Sequence, residues 1–166
     1  MVREYRDVFG AVEPETGDFF YHIQEKELPA KGKPGRKKKG ERKKKQRKPR
    51  KGYKSRQMNS FMKALADRYP DDRIVLVCDR APWHDSQYIK IPKRITMLFI
   101  PPYTPEMNPI EQIWREIRTL MGNTLYQNID DLFVGLKEKI ASIDREKIKS
   151  ITQRDWIMKS LILKAG

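Results

Sequence analysis

Two short apolar runs, the first followed directly by an acidic residue and the second by two prolines, constrain the fold of this chain more than any other feature. Ile74–Cys78 is apolar throughout and is followed at once by Asp79. The second run, Ile95–Ile100, stops at two prolines, and a proline-rich loop leads from there to a helical pattern that begins near Glu111. Short apolar runs between breakers are typical of buried strands. The pattern therefore predicts two strands with an acidic residue beyond the end of each, and the first, over 73–78, is apolar enough on both faces to be a buried central strand.

The rest of the chain predicts a hairpin followed by alternating helices and strands. Turn residues and periodicity indicate strands over 5–12 and 18–23, a short helix or irregular segment over 84–91, and helices over 55–69, 108–121, 130–143 and 144–166. The first of these helices has an apolar stripe formed by Met58, Phe61, Met62, Leu65 and Tyr69. This order predicts an α/β fold with a mixed sheet and flanking helices.

One segment contains almost all of the charge imbalance. Residues 31–56 hold sixteen Lys or Arg and one acid, whereas the other 140 residues hold 20 basic and 21 acidic side chains, although the whole chain has a net charge of +14. We interpret 1–166 as one near-neutral domain with a basic insertion over 29–54, which we expect to be disordered when free because it lacks large apolar side chains. Its cations can neutralise DNA phosphates without reading bases; the candidates are Lys37, Lys38, Lys39, Arg42, Lys43, Lys44 and Lys45. The alternative is a solvated insertion or a translated A-rich sequence.

Two further features restrict the class of protein. No apolar run is long enough to span a membrane and no signal-peptide pattern opens the chain, so we expect a cytoplasmic, nucleoid-associated protein without a membrane partner. The single cysteine, Cys78, cannot form an internal disulfide and is a poor start for a zinc site. We interpret it as a small buried apolar residue.

Asp79 and Glu111 are the candidate metal ligands. They are 32 residues apart, which leaves room for a strand and loops to bring them back together. Carboxylates from different elements are the oxygen ligands that Mg²⁺ prefers, and paired ions assist phosphoryl transfer. Each residue also has a structural alternative. Asp79 can open a turn before Ala81, and Glu111 can complete a capping box with Asn108.

The motifs around both acids resemble a known family. Asp79-Arg80-Ala81-Pro82-Trp83-His84 and Pro101-Pro102-Tyr103-Thr104-Pro105-Glu106-Met107-Asn108-Pro109-Ile110-Glu111-Gln112-Ile113-Trp114 resemble the second and third catalytic blocks of mariner-like DDE transposases, in their bacterial and archaeal insertion-sequence branch. The resemblance implies an RNase H-like fold, metal-dependent DNA cleavage and joining, and catalytic Asp79 and Glu111 as ligands of two Mg²⁺ or Mn²⁺ ions. It makes His84 an active-site neighbour that touches phosphate or positions water, or else a residue that orders the loop.

The resemblance also implies that two parts of the family's transposases, the first catalytic acid and the DNA-reading region, are missing from this sequence. It covers roughly residues 5–24 and 58–145, whereas the family has a first catalytic acid on a strand before the hairpin and a helix-turn-helix before that. We therefore expect a catalytic domain incomplete at its N-terminus, marginally stable and inactive alone. The expected partners are DNA at transposon ends and target, an N-terminal segment supplying the first Asp, and a second copy. The alternatives are a non-catalytic basic DNA-binding remnant and another RNase H-like nuclease.

Overall fold

The structure, a computed structural model, describes residues 6–23, 53–82, 84, 86–155 and 159. Its elements, in chain order, are β1 (Val8–Glu13), β2 (Asp18–Ile23), α1 (Tyr53–Arg68), β3 (Ile74–Cys78), β4 (Ile95–Phe99), a 3₁₀ turn (Pro105–Met107), α2 (Ile110–Met121), α3 (Ile129–Ala141) and α4 (Arg145–Thr152). This order confirms the predicted α/β class, and the architecture is compatible with an RNase H-like fold.

The strands form two small sheets. β1 and β2 pair antiparallel with Val8 opposite Ile23, and β3 and β4 pair parallel with Ile74 opposite Ile95. The sequence predicted β3 as a central strand covered on both faces. Within the described ranges β3 pairs with β4 alone, and Val75 is 61% exposed. An apolar run shows that a strand is present but does not show how many of its faces are covered, so that detail of the prediction was wrong.

The hairpin separates two hydrophobic cores. Successive strand side chains point to opposite faces, and both faces of this hairpin are apolar. Phe9, Ala11 and Phe20 face the first core. Val8, Val12, Phe19, Tyr21 and Ile23 face the second. The hairpin is therefore covered on both sides by other elements.

Helix α1 provides most of the first core. Its predicted stripe is confirmed: Met58, Phe61, Met62 and Leu65 are all buried, and Tyr69 packs against the same cluster. Leu76 of β3 and Ile95 of β4 join these residues, so α1 covers the parallel pair as well as the hairpin. Burying side chains of this size stabilises the fold by about 1.5–3 kcal/mol each.

Helices α2, α3 and α4 enclose the second core around Ile113 and Ile117. Asn128 caps α3, since its side chain accepts a hydrogen bond from the Asp131 amide at 2.9 Å. Gly17 closes the β1–β2 turn with a left-handed φ of 72°, and its α-carbon lies against the backbone of α4. The turn residue thus fixes the hairpin against the C-terminal helix.

Some predictions fall partly outside the described residues. The basic segment 29–54 lies there except for its last two residues, which begin α1. The predicted helix over 144–166 corresponds to α4 at its start, and most of the chain after residue 155 lies outside the described residues. Residues 84–91, where described, are turns rather than helix. Searching the described segments for a helix of membrane-spanning length and apolarity found none.

Candidate active site

A cavity of about 400 Å³ opens where the parallel strands end. It is lined by residues 79–81 after β3, residues 100–105 after β4, and Asn108 and Glu111 at the start of α2. Both predicted metal ligands therefore line the same cavity, although 32 residues separate them in the sequence.

The parallel pairing explains why the two acids lie together. Cys78 lies opposite Phe99, and the Ile100 amide donates to the Cys78 carbonyl at 3.0 Å, so both strands end at one edge. Asp79 begins the loop beyond that edge, and the loop after β4 leads back to α2. The carboxyl ends of parallel strands commonly hold functional side chains for this reason.

The Asp79 carboxylate is held by two donors. Its Oδ1 atom accepts from the Ala81 amide at 3.1 Å and lies 2.8 Å from Nδ1 of His84. The first contact is the turn geometry that the structural alternative for Asp79 predicted. The side chain nevertheless remains 61% exposed and lines the cavity, so forming the turn does not remove it from the site.

Glu111 lies in the first turn of α2 and has a different environment. The helix begins after Pro109, and no side chain caps it, so the alternative capping box with Asn108 is not formed. The predicted helix start at Asn108 was therefore early, since Asn108 has extended backbone angles. Within the described part of the chain, no hydrogen bond or ion pair engages the Glu111 carboxylate. The Glu111 carboxylate therefore has fewer contacts with described residues than the Asp79 carboxylate has.

The loop that leads to Glu111 is tightly built. Thr104 Oγ1 donates to the Pro101 carbonyl at 2.7 Å, and the Met107 amide donates to the Thr104 carbonyl at 3.0 Å. Tyr103 lies between these contacts, fully exposed and with a φ of 63°, which a residue with a β-carbon adopts at a cost. Prolines fix further backbone angles here.

His84 is buried beneath the site. Its imidazole is 9% exposed, its amide donates to the Ala81 carbonyl at 2.8 Å, and its Nδ1 atom also lies 2.8 Å from the Asp79 carbonyl. The predicted active-site neighbour therefore contacts Asp79 directly. It is not among the residues that line the cavity.

Arg80 was missed by sequence reasoning. It lines the cavity beside Asp79, and its guanidinium lies 6.0 Å from the centre of the Phe99 ring. The available signal was the position of this cationic residue in the sequence: it comes directly after a strand end, between the candidate ligands Asp79 and Glu111. A guanidinium here can contact the phosphate of a nucleic acid.

The neighbouring Cys78 has no catalytic character. It is 6% exposed, as predicted for a small apolar core residue. Burial, together with the nearby negative charge of Asp79, raises the pKa of its thiol from 9.0 to about 11. The thiol is therefore protonated at neutral pH, and a thiolate nucleophile is absent at this position.

The metal-binding potential of the site comes from two carboxylates. No group of three His, Cys, Asp or Glu side chains close enough to hold an ion occurs within the described segments. The predicted DNA-contacting cations, Lys37–Lys39 and Arg42–Lys45, lie outside the described residues. The described site therefore offers hard oxygen ligands and one adjacent cation.

Comparison with known proteins identifies the family of this chain. The family model of the DDE superfamily endonucleases matches residues 48–133, a segment that includes Asp79, His84 and Glu111. An uncharacterized protein of Sinorhizobium fredii, y4pE/y4sA, is 35% identical over 91 residues, which are 52% of this chain and 66% of that protein. No solved structure matches. The family match covers more than half of the sequence, and the chain belongs to the DDE superfamily endonucleases.

Proposed function

We propose that this chain is the C-terminal part of a transposase catalytic domain from the mariner-like, insertion-sequence branch of the family. It acts on DNA in the cytoplasm, at the nucleoid, through cleavage and joining of strands. The observation that carries the proposal is the presence of Asp79 and Glu111 on one cavity, at the ends of adjacent elements. The family and the two sequence motifs support the same assignment.

The donor set fits Mg²⁺ or Mn²⁺. Both ions prefer oxygen ligands, and Glu111 has a carboxylate that no other described residue engages. Two such ions, when bound, stabilise the attacking and leaving oxygens of phosphoryl transfer. Asp79 and Glu111 would hold those ions, and Arg80, which lines the same cavity, would contact the phosphate. We further propose that a third acid, supplied by a segment other than the residues described, completes the site.

Manganese binding tests the metal site directly. Titration of the full chain with Mn²⁺, followed by the loss of the free-ion EPR signal, should show binding that Asp79→Asn and Glu111→Gln each weaken at least tenfold. Glu106→Gln is the matched control, because Glu106 is an exposed acid five residues before Glu111 that does not line the cavity. Equal affinities in all four proteins would refute the proposed site.

DNA contact through the basic segment has its own test. Changing the seven cations at 37–39 and 42–45 to Ser should flatten the dependence of DNA affinity on salt, because each neutralised phosphate contributes a slope of about −0.9 for duplex DNA. A control with seven Lys or Arg changed elsewhere on the domain should keep a steeper slope. An unchanged slope in the Ser variant would remove these residues from the DNA interface.

The competing function is a basic DNA-binding remnant that performs no chemistry. One observation favours it: the described residues place only two acids on the cavity. The genomic DNA directly upstream of the Met1 codon separates the two functions. An overlapping frame that encodes a helix-turn-helix and a strand ending in Asp supports the transposase. Its absence, together with unchanged Mn²⁺ binding in the carboxylate variants, supports the remnant.

A further inference from the structure

The contact between His84 and Asp79 defines the protonation of one imidazole nitrogen. Nδ1 lies 2.8 Å from the Asp79 carbonyl oxygen and 2.8 Å from the Asp79 carboxylate Oδ1. A carbonyl oxygen can only accept, and the carboxylate oxygen accepts as well. A nitrogen that faces two acceptors at this distance must hold a hydrogen. His84 therefore donates from Nδ1 to Asp79.

This donation leaves the two carboxylate oxygens of Asp79 in different states. Oδ1 accepts from the Ala81 amide and lies 2.8 Å from Nδ1 of His84, whose one hydrogen also faces the Asp79 carbonyl, so both protein contacts of the carboxylate fall on Oδ1. No described residue donates to Oδ2. The contacts thus hold one oxygen against the protein and leave the other available to a cation.

We infer that His84 is a positioning residue that fixes the Asp79 carboxylate so that Oδ2, and not Oδ1, binds a divalent cation. The inference rests on the proposed metal site and assigns a different role to each carboxylate oxygen of Asp79. Without His84, a carboxylate that is 61% exposed would be held by the Ala81 amide alone, and ordering it further on ion binding would cost affinity. The buried imidazole supplies that order in advance, as outer partners of metal ligands commonly do.

Two other roles for His84 fit the contacts less well. A direct metal ligand would use the lone pair of Nε2, because Nδ1 holds a hydrogen, but His84 is buried and is not among the residues that line the cavity with Asp79 and Glu111. A role limited to ordering the loop needs only the hydrogen bond to the Asp79 carbonyl and the amide contact with Ala81. It does not require the 2.8 Å contact with Oδ1, and the experiment must therefore separate the carboxylate contact from loop order.

Substitution by the two amides makes that separation. The side-chain nitrogen of Asn lies near the place of Nδ1, whereas that of Gln lies near the place of Nε2. We expect His84→Asn to bind Mn²⁺ within about threefold of the unsubstituted chain. His84→Gln and His84→Ala should bind about 10- to 100-fold more weakly, the usual effect of losing an outer partner. In the Asp79→Asn background, His84→Ala should cause no further loss.

A second measurement reads the contact without metal. The ¹⁵N spectrum of the full chain should show a protonated, hydrogen-bonded Nδ1 on His84, and its shift should change in Asp79→Asn. Equal Mn²⁺ affinities for the Asn and Gln variants, with both folded by circular dichroism, would overturn the inference and leave the metal site intact. Mn²⁺ binding that does not depend on Asp79 or Glu111 would overturn the proposed function, and the inference with it.

Discussion

Gly10 controls how closely β1 approaches α2, and adding one methyl group there should disturb the helix that carries Glu111. A β-carbon at Gly10 would lie 2.9 Å from the Phe19 ring and 2.9 Å from the Trp114 ring. These two rings already pack edge-to-face with centroids 6.1 Å apart, so neither can yield without moving the core. Overpacking of this kind costs about 1–3 kcal/mol. We expect Gly10→Ala to lower the free energy of unfolding by that amount.

A clash with Trp114 predicts a specific rescue. Trp114→Phe removes the ring atoms that the new methyl group meets, so Gly10→Ala should cost less in that background. The remaining contact with Phe19 makes the rescue partial, and we expect a coupling energy of about 1 kcal/mol, within the range for contacting residues. Urea denaturation of the four proteins, followed by far-ultraviolet circular dichroism, measures it. Additive costs, within about 0.5 kcal/mol, would refute the proposed clash.

Three further predictions concern the turn, the phenol and the thiol. Gly17→Ala should lower the free energy of unfolding by more than about 2 kcal/mol, because it combines a positive φ with a β-carbon 2.4 Å from the Arg145 carbonyl oxygen. Gly17→Asn relieves the backbone strain but not the clash, so an Asn variant that melts at nearly the normal temperature would contradict this prediction. Burial, and then the hydrogen bond to Asp18, raises the pKa of Tyr69 from 10.0 to about 12. The contribution of this phenol to the stability of the fold is therefore complete below pH 10 and is lost as the pH rises through 12, so Tyr69→Phe should lose less stability than the unsubstituted chain over that pH range. The Cys78 thiol, with its pKa raised to about 11, should react slowly with iodoacetamide at pH 8 and rapidly in urea, and fast alkylation of the folded chain would argue against its burial.

Local patterns determine most of what the sequence could predict. The stripe of α1 and the turn at Gly17 depend on neighbours in the sequence, and the structure confirms both. The apolar run of β3 identified a strand but not its partners, because pairing depends on residues far away in the chain. The split into two small sheets therefore could not be read from periodicity.

The candidate site was predictable to the same extent. The positions of the acids, at a strand end and at a helix start, indicated Asp79 and Glu111, and parallel pairing explains why they share a cavity. The close contact between His84 Nδ1 and Oδ1 of Asp79 was not predictable, since a five-residue separation does not specify where a side chain points in an irregular loop. The capping box at Glu111 was an equally good local pattern, and the lack of a side-chain hydrogen bond at the start of α2 excludes it.

The two-sided hairpin has a consequence for any attempt to trim this chain. The family match begins at residue 48, beyond β2, yet β1 and β2 form the wall against which Phe61 and Ile113 are buried. An excised 48–133 segment would present both of those surfaces to water and would lack α4 as well. The region shared among relatives is consequently smaller than the unit that can fold, and biochemical work should retain the N-terminal strands.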